Sequence, residues 1–126
     1  MIVTGSWDKT VRYWDLRQSK QVGQVECQER VYGMDLRKDL LVVATAGRYV
    51  HTINLNQPFT FSRTDQTTLK HQIRSVACFE DAKGYALGGI EGRCSIVNLE
   101  HSGYVFFLVF RCLTSRSASR SLGAVV

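Results

Sequence analysis

No stretch of this chain carries a helical 3.6-residue apolar period of useful length, so strands are the regular elements to look for. Proline occurs once in 126 residues. It falls in Leu55-Asn56-Gln57-Pro58, between repeat units, where a missing N–H costs no ladder bond. The four cysteines, Cys27, Cys78, Cys94 and Cys112, contain no Cys-x-x-Cys pair. Zinc needs closer ligand spacing, and without a secretory signal these residues fit thiols of a reducing compartment better than a disulfide framework. Long apolar runs are also missing. Tyr104-Val105-Phe106-Phe107-Leu108-Val109-Phe110 is seven residues, far below the roughly 20 that cross a bilayer, and it lies at the wrong end for a signal peptide. Membrane insertion is therefore not expected. Gly88-Gly89-Ile90-Glu91-Gly92 lies at a strand-to-strand turn with no helix after it, which excludes a phosphate-cradling loop. His51, His71 and His101 are isolated, each without a partner acid at catalytic spacing. These absences argue against an enzyme, a cofactor, a metal site and a small-molecule substrate.

Charge of one sign is scarce in most of the chain as well. Sixteen Lys and Arg stand against 11 acids, for a net charge of +5. Arg111, Arg116 and Arg120 supply +3 of that, and no acid lies beyond Glu100. The first 100 residues carry only +2, too little to infer nucleic-acid binding from charge alone. Local basic clusters, Arg37-Lys38 and Lys70-His71-Gln72-Ile73-Arg74, still offer Lys70 and Arg74 as phosphate contacts.

What is present is a repeated strand pattern. Gly5-Ser6-Trp7-Asp8-Lys9-Thr10-Val11-Arg12-Tyr13-Trp14-Asp15 reads as strand, tight turn and strand, ending in the Trp-Asp pair of a β-propeller blade. A shift of 39 residues sets Asn54 under Asp15, Ile53 under Trp14, Val50 under Val11 and Gly47 under Asp8. A shift of 83 sets Asn98 under Asp15, Val97 under Trp14, Glu91 under Asp8 and Gly88 under Gly5. The spacings of 39 and 44 match the roughly 40–45 of this repeat type. Strands are expected over 31–36, 40–45, 49–55, 73–79, 85–90 and 94–99, rich in β-branched and aromatic residues between Gly, Asp and Lys turns. Residues 59–68 read as a polar crossover.

The expected fold is all-β, a partial WD-repeat β-propeller of about two and a half blades, where complete rings hold about 4–8. Residues 1–100 form it, with repeats at about 1–17, 25–56 and 69–100. Residues 101–126 follow none of the repeat registers and read as a non-homologous, poorly ordered tail, although the apolar run offers itself as an added strand or an edge cover. The chain looks like a piece of a larger or truncated protein. Its open sheet faces and unpaired edges invite aggregation or pairing with another chain.

Five strings in order carry a more specific resemblance: Thr4-Gly5-Ser6-Trp7-Asp8-Lys9-Thr10 with Trp14-Asp15, Val42-Val43-Ala44-Thr45-Ala46, Asn56-Gln57-Pro58, Leu69-Lys70-His71-Gln72, and Tyr85-Ala86-Leu87-Gly88-Gly89-Ile90-Glu91-Gly92-Arg93. Over residues 1–100 the chain resembles the nuclear-pore-associated mRNA export factors, a family of seven-bladed WD-repeat propellers. A relative of that family, the mitotic checkpoint propeller, shares the Ala-Thr-Ala and Ile-Glu-Gly-Arg elements. The resemblance implies a non-enzymatic binding platform located at the nuclear pore and envelope, in the nucleus and also in the cytoplasm. Its implied partners are an acidic, partly helical segment of a Phe-Gly-repeat nucleoporin, RNA, and spindle or checkpoint proteins. Arg93 and Glu91 are the partner-binding residues the resemblance implies, Arg93 matching the position that grips that acidic segment. The resemblance also implies a blade-locking network of Asp8, Trp14 and a hydroxyl, for which Ser6 is the choice, with its His falling before residue 1. A checkpoint-type adaptor, or a generic WD-repeat scaffold, is the alternative.

Overall fold

The computed structural model describes residues 1–100 and, as backbone, the strand Phe106–Arg111. Its regular elements are strands: β1 (Ile2–Gly5), β2 (Thr10–Trp14), β3 (Gln21–Glu26), β4 (Val31–Arg37), β5 (Leu40–Thr45), β6 (Tyr49–Asn54), β7 (Arg63–Gln66), β8 (Ile73–Cys78), β9 (Gly84–Gly89), β10 (Arg93–Asn98) and β11 (Phe106–Arg111). They form three antiparallel sheets, β1-β2-β3, β4-β5-β6-β7 and β8-β9-β10-β11. Each sheet is a blade, and the blades stack face on face.

The repeat register is written into the backbone. Lys9, Arg48 and Gly92 occupy one position of the turns β1–β2, β5–β6 and β9–β10, and all three have positive φ, 70°, 63° and 72°. Lys38 and Ala82, 44 residues apart, repeat the match in the turns β4–β5 and β8–β9, at 50° and 58°. A chain that reverses this tightly needs one left-handed residue, which Gly92 supplies without steric cost. The Asp of the Trp-Asp pair also has a local cause. Oδ1 of Asp15, Asn54 and Asn98 accepts the N–H two residues on, from Arg17, Asn56 and Glu100, at 3.0, 2.9 and 2.9 Å. Only a short side chain with a carbonyl-type oxygen closes that loop, so the position takes Asp or Asn.

Two apolar layers hold the blades together. Val11, Tyr13 and Val25 of the first sheet meet Val31, Leu41, Val43 and Ile53 of the second. Val42, Ala44 and Val50, on the other face, meet Tyr85, Leu87 and Val97 of the third, with Leu69 and Ile73 sealing the end. Strand β5 is thus buried on both faces, which explains its unbroken apolar run. The first layer closes tightly at Gly5, where a Cβ would stand 2.6 Å from Val31 Cγ1 and 2.7 Å from Met34 Sδ. Inner strands β4 and β8 are fastened by a direct bond, the Cys78 N–H donating to Asp35 Oδ2 at 2.6 Å.

The structure departs from the sequence reading at the blade rims. Residues 59–68 are not wholly a crossover, because Arg63–Gln66 is β7 and pairs with β6 from Tyr49↔Gln66 to Thr52↔Arg63. Pro58 therefore lies in the loop between β6 and β7 of one blade, where its carbonyl accepts the Tyr13 hydroxyl at 2.7 Å. The link to the next blade is residues 67–72. Strand β3 is a further rim strand that the apolar pattern does not announce. Within the segment read as a tail, β11 pairs with β10 from Arg93↔Arg111 to Asn98↔Phe106, so the apolar run adds a strand. The remaining expectations for residues 101–126, including His101 and Cys112, lie outside the described residues.

Candidate partner-binding face

The turns β1–β2, β5–β6 and β9–β10 and the crossovers β3–β4 and β7–β8 are bonded into one face. Val31 N–H donates to Ser6 O, Ala46 N–H to Arg30 O, Thr67 N–H to Arg48 O and Ile90 N–H to Gln72 O. The Arg48 guanidinium adds a long bond to Leu69 O at 3.5 Å. This lattice of main-chain bonds gives the side chains above it a firm base.

Two clusters rise from that base. In the first, Trp7 at the apex of the β1–β2 turn stands 65% exposed, with Tyr32 edge-on at 6.0 Å and the Arg30 guanidinium 5.5 Å over its ring. Tyr32 reaches it because β4 bulges there, its register slipping between Val31 and Gly33. Strand β8 slips at the matching place, between Ile73 and Ser75, and turns out Arg74. The second cluster contains Arg93, at the start of β10. Its Nε lies 3.9 Å from Glu91 Oε2, while Glu91 Oε1 contacts His71 Nε2 from the β7–β8 crossover. Ile90, at the same turn position as Trp7, is 56% exposed. Lys70 and Arg74 are exposed nearby on the crossover and the β8 bulge.

Three readings of single residues change. His71, isolated in sequence, contacts an acid 20 residues away, because the 67–72 crossover is bonded to the β9–β10 turn. The Trp14 indole N–H donates to the Thr4 hydroxyl at 2.8 Å, not to Ser6. Thr4 fits because its strand position puts it on the Trp14 face of β1 and β2, whereas the Ser6 hydroxyl accepts the Asp8 N–H at 3.3 Å. Asp8 is bound locally, accepting from the Thr10 N–H at 3.0 Å and from Arg12 Nη2 at 2.9 Å. The Thr10 hydroxyl, ahead of every other cause, holds the Asp8 carboxyl below its ordinary range. Trp7, Arg30, Tyr32 and His71 were not singled out from sequence. The matching turn positions of Trp7 and Ile90 were the available signal for the apolar pair.

The titratable groups of the interior are built for packing. Burial pushes the Cys27 thiol up to about 11, and burial with Asp35 beside it pushes Cys78 up to about 12, so neither is a thiolate at neutral pH. His51 is buried against Phe61, ring centroids 4.4 Å apart, and shares a hydrogen bond between Nδ1 and the Thr64 hydroxyl at 2.9 Å. Among the described residues no group of three or more His, Cys, Asp or Glu is arranged to hold a metal ion, and no helix is long and apolar enough to cross a membrane.

Stacked antiparallel sheets, two of four strands and one of three, with a repeated Asp/Asn turn cap define a WD-repeat β-propeller, here in part. The β-propeller domain of Cps50 (Swd1) from Myceliophteria thermophila superposes with a TM-score of 0.71 over 84% of this chain and 34% of its own, at 15% identity, and so speaks for the fold alone. No family model matches the chain. Its homologues are the mRNA export factors and the Bub3-type checkpoint proteins. The mRNA export factor GLE2 of Chaetomium thermophilum is 51% identical over 89% of this chain and 31% of its own length. The mitotic checkpoint protein BUB3.1 of Arabidopsis thaliana is 38% identical over 96% of this chain and 38% of its own length. The chain spans about a third of the curated relatives it matches.

Proposed function

We propose that this protein is a non-enzymatic interaction scaffold of mRNA export, acting at the nuclear pore and envelope, in the nucleus and also in the cytoplasm. Its turn-and-crossover face holds an acidic, partly helical segment of a Phe-Gly-repeat nucleoporin. The observation that carries the reading is Arg93, whose guanidinium stands on a bonded turn without a hydrogen bond to the neighbouring carboxylate. A planar fork of that kind takes a carboxylate in two parallel bonds. Lys70 and Arg74 extend the positive surface and offer phosphate contacts for RNA.

The higher identity to an mRNA export factor than to a checkpoint protein, 51% against 38%, favours export over the checkpoint reading. The alternative keeps the same face and gives it a segment of a kinetochore kinase, the partner that the resemblance to the checkpoint propeller implies, with spindle or checkpoint proteins as further partners. The two readings separate on peptide affinity. The nucleoporin segment is expected to bind the protein more tightly than the kinase segment does; equal affinity or the reverse order overturns the export assignment.

A further inference from the structure

The Glu91 carboxylate is covalently tethered beside the guanidinium that an acidic partner needs. Glu91 and Arg93 are two positions apart with only Gly92 between them, and the same spacing closes elsewhere in the molecule. Arg17 meets Asp15 at 2.8 Å with a second bond from Nε at 3.0 Å, and Arg63 meets Asp65 at 2.6 Å. Glu91 and Arg93, by contrast, stand at 3.9 Å, beyond hydrogen-bond reach. Glu91 differs from those two Asp residues in being longer and in contacting a third group. His71, brought in by the 67–72 crossover, contacts Glu91 Oε1 and leaves only Oε2 toward Arg93.

The geometry points to His71 as a positioning residue that holds Glu91 off Arg93 and so keeps the guanidinium open for a partner's carboxylate. Glu91 is then a built-in competitor, and His71 is the group that restrains it. The inference rests on the reading of Arg93 as the partner contact. Its chemistry is a competition between one tethered and one incoming carboxylate for a single forked donor. The three side chains are about a third to a half exposed, so the effect belongs in the range of a partly screened ion pair, not a buried one.

Two measurements on the full 126-residue chain test it. Without any partner, the Arg93 Nε–Hε signal in NMR should move downfield in His71→Ala as Glu91 closes on it, and should return in His71→Ala/Glu91→Gln. His71→Gln, which keeps a donor, should resemble wild type. With a Glu-rich 12-residue peptide as probe, His71→Ala should weaken binding by about fivefold, the factor that corresponds to ~1 kcal/mol at an exposed pair. Adding Glu91→Gln should restore it. A merely structural role for His71 would not be rescued by a change at Glu91. An unmoved Arg93 signal in His71→Ala, or equal peptide binding by wild type and His71→Ala while Arg93→Ala weakens it, overturns the inference. Peptide binding unaffected by Arg93→Ala overturns the reading of Arg93 itself.

Discussion

At the scale of single residues, what was legible depended on how far a side chain reaches along its own strand. Asp15, Asn54 and Asn98 line up from sequence, and each caps the N–H two residues on. Trp14 was legible as a blade residue, but its hydroxyl partner is Thr4 and not Ser6, because Thr4 lies within β1 on the Trp14 face while Ser6 lies past the strand end, where its hydroxyl accepts the Asp8 N–H. Contacts made through crossovers, such as His71 with Glu91, leave no periodic trace. His51 yields a prediction of its own. Burial lowers its pKa from the ordinary 6.5, so the folded state holds it neutral while the unfolded chain binds a proton more readily. Its contribution to stability is complete above about pH 6.5 and is lost as pH falls through that value toward the lowered one. The melting temperature of wild type should drop more between pH 7 and pH 5 than that of His51→Phe. Equal drops would contradict this account of the histidine.

At the scale of elements, the inner strands were legible and the rims were not. Strands β4, β5, β6, β8, β9 and β10 carry β-branched and apolar residues because they are covered by neighbouring blades, and they fall within a residue or so of the expected bounds. Strand β7 reads Arg-Thr-Asp-Gln and β3 reads Gln-Val-Gly-Gln-Val-Glu, half-exposed rims whose ladder bonds need no apolar alternation. The turns are the place to perturb. Lys9 spends its positive φ on a non-glycine residue, with only a 3.9 Å pair to Glu29 in return. Lys9→Gly should therefore stabilise the chain slightly or leave it unchanged, whereas Gly92→Ala, at φ 72°, should cost about 1 kcal/mol. Urea midpoints decide this, and a Gly92→Ala variant as stable as wild type would contradict the shared turn geometry.

At the scale of the whole molecule, the three blades are not equally covered. Leu41, Val43, His51 and Ile53 are buried against the first sheet. The register-equivalent positions in that sheet are Ile2, Thr4, Arg12 and Trp14, and they face outward, Ile2 being 44% exposed. Leu16 and Val22 add exposed apolar surface at the same end. The chain on its own is thus expected to self-associate. Its elution volume in size-exclusion chromatography should shift with concentration, and a sharp monomeric peak with cooperative melting would contradict the expectation. The fold class and repeat spacing were readable at this scale because stacked blades repeat their turns. Which segment docks on the finished face was not readable from repeats, since the proposed function rests partner choice on a few turn residues such as Arg93.

The central claim concerns that residue. The most direct measurement is a fluorescence-anisotropy titration of a labelled nucleoporin acidic segment against the protein and its Arg93→Ala variant, with the kinase segment as comparison. The account predicts tighter binding of the nucleoporin segment to wild type, and a loss on the order of 2–5 kcal/mol in the variant if the complex buries the pair. Unchanged affinity on removing Arg93 would contradict it.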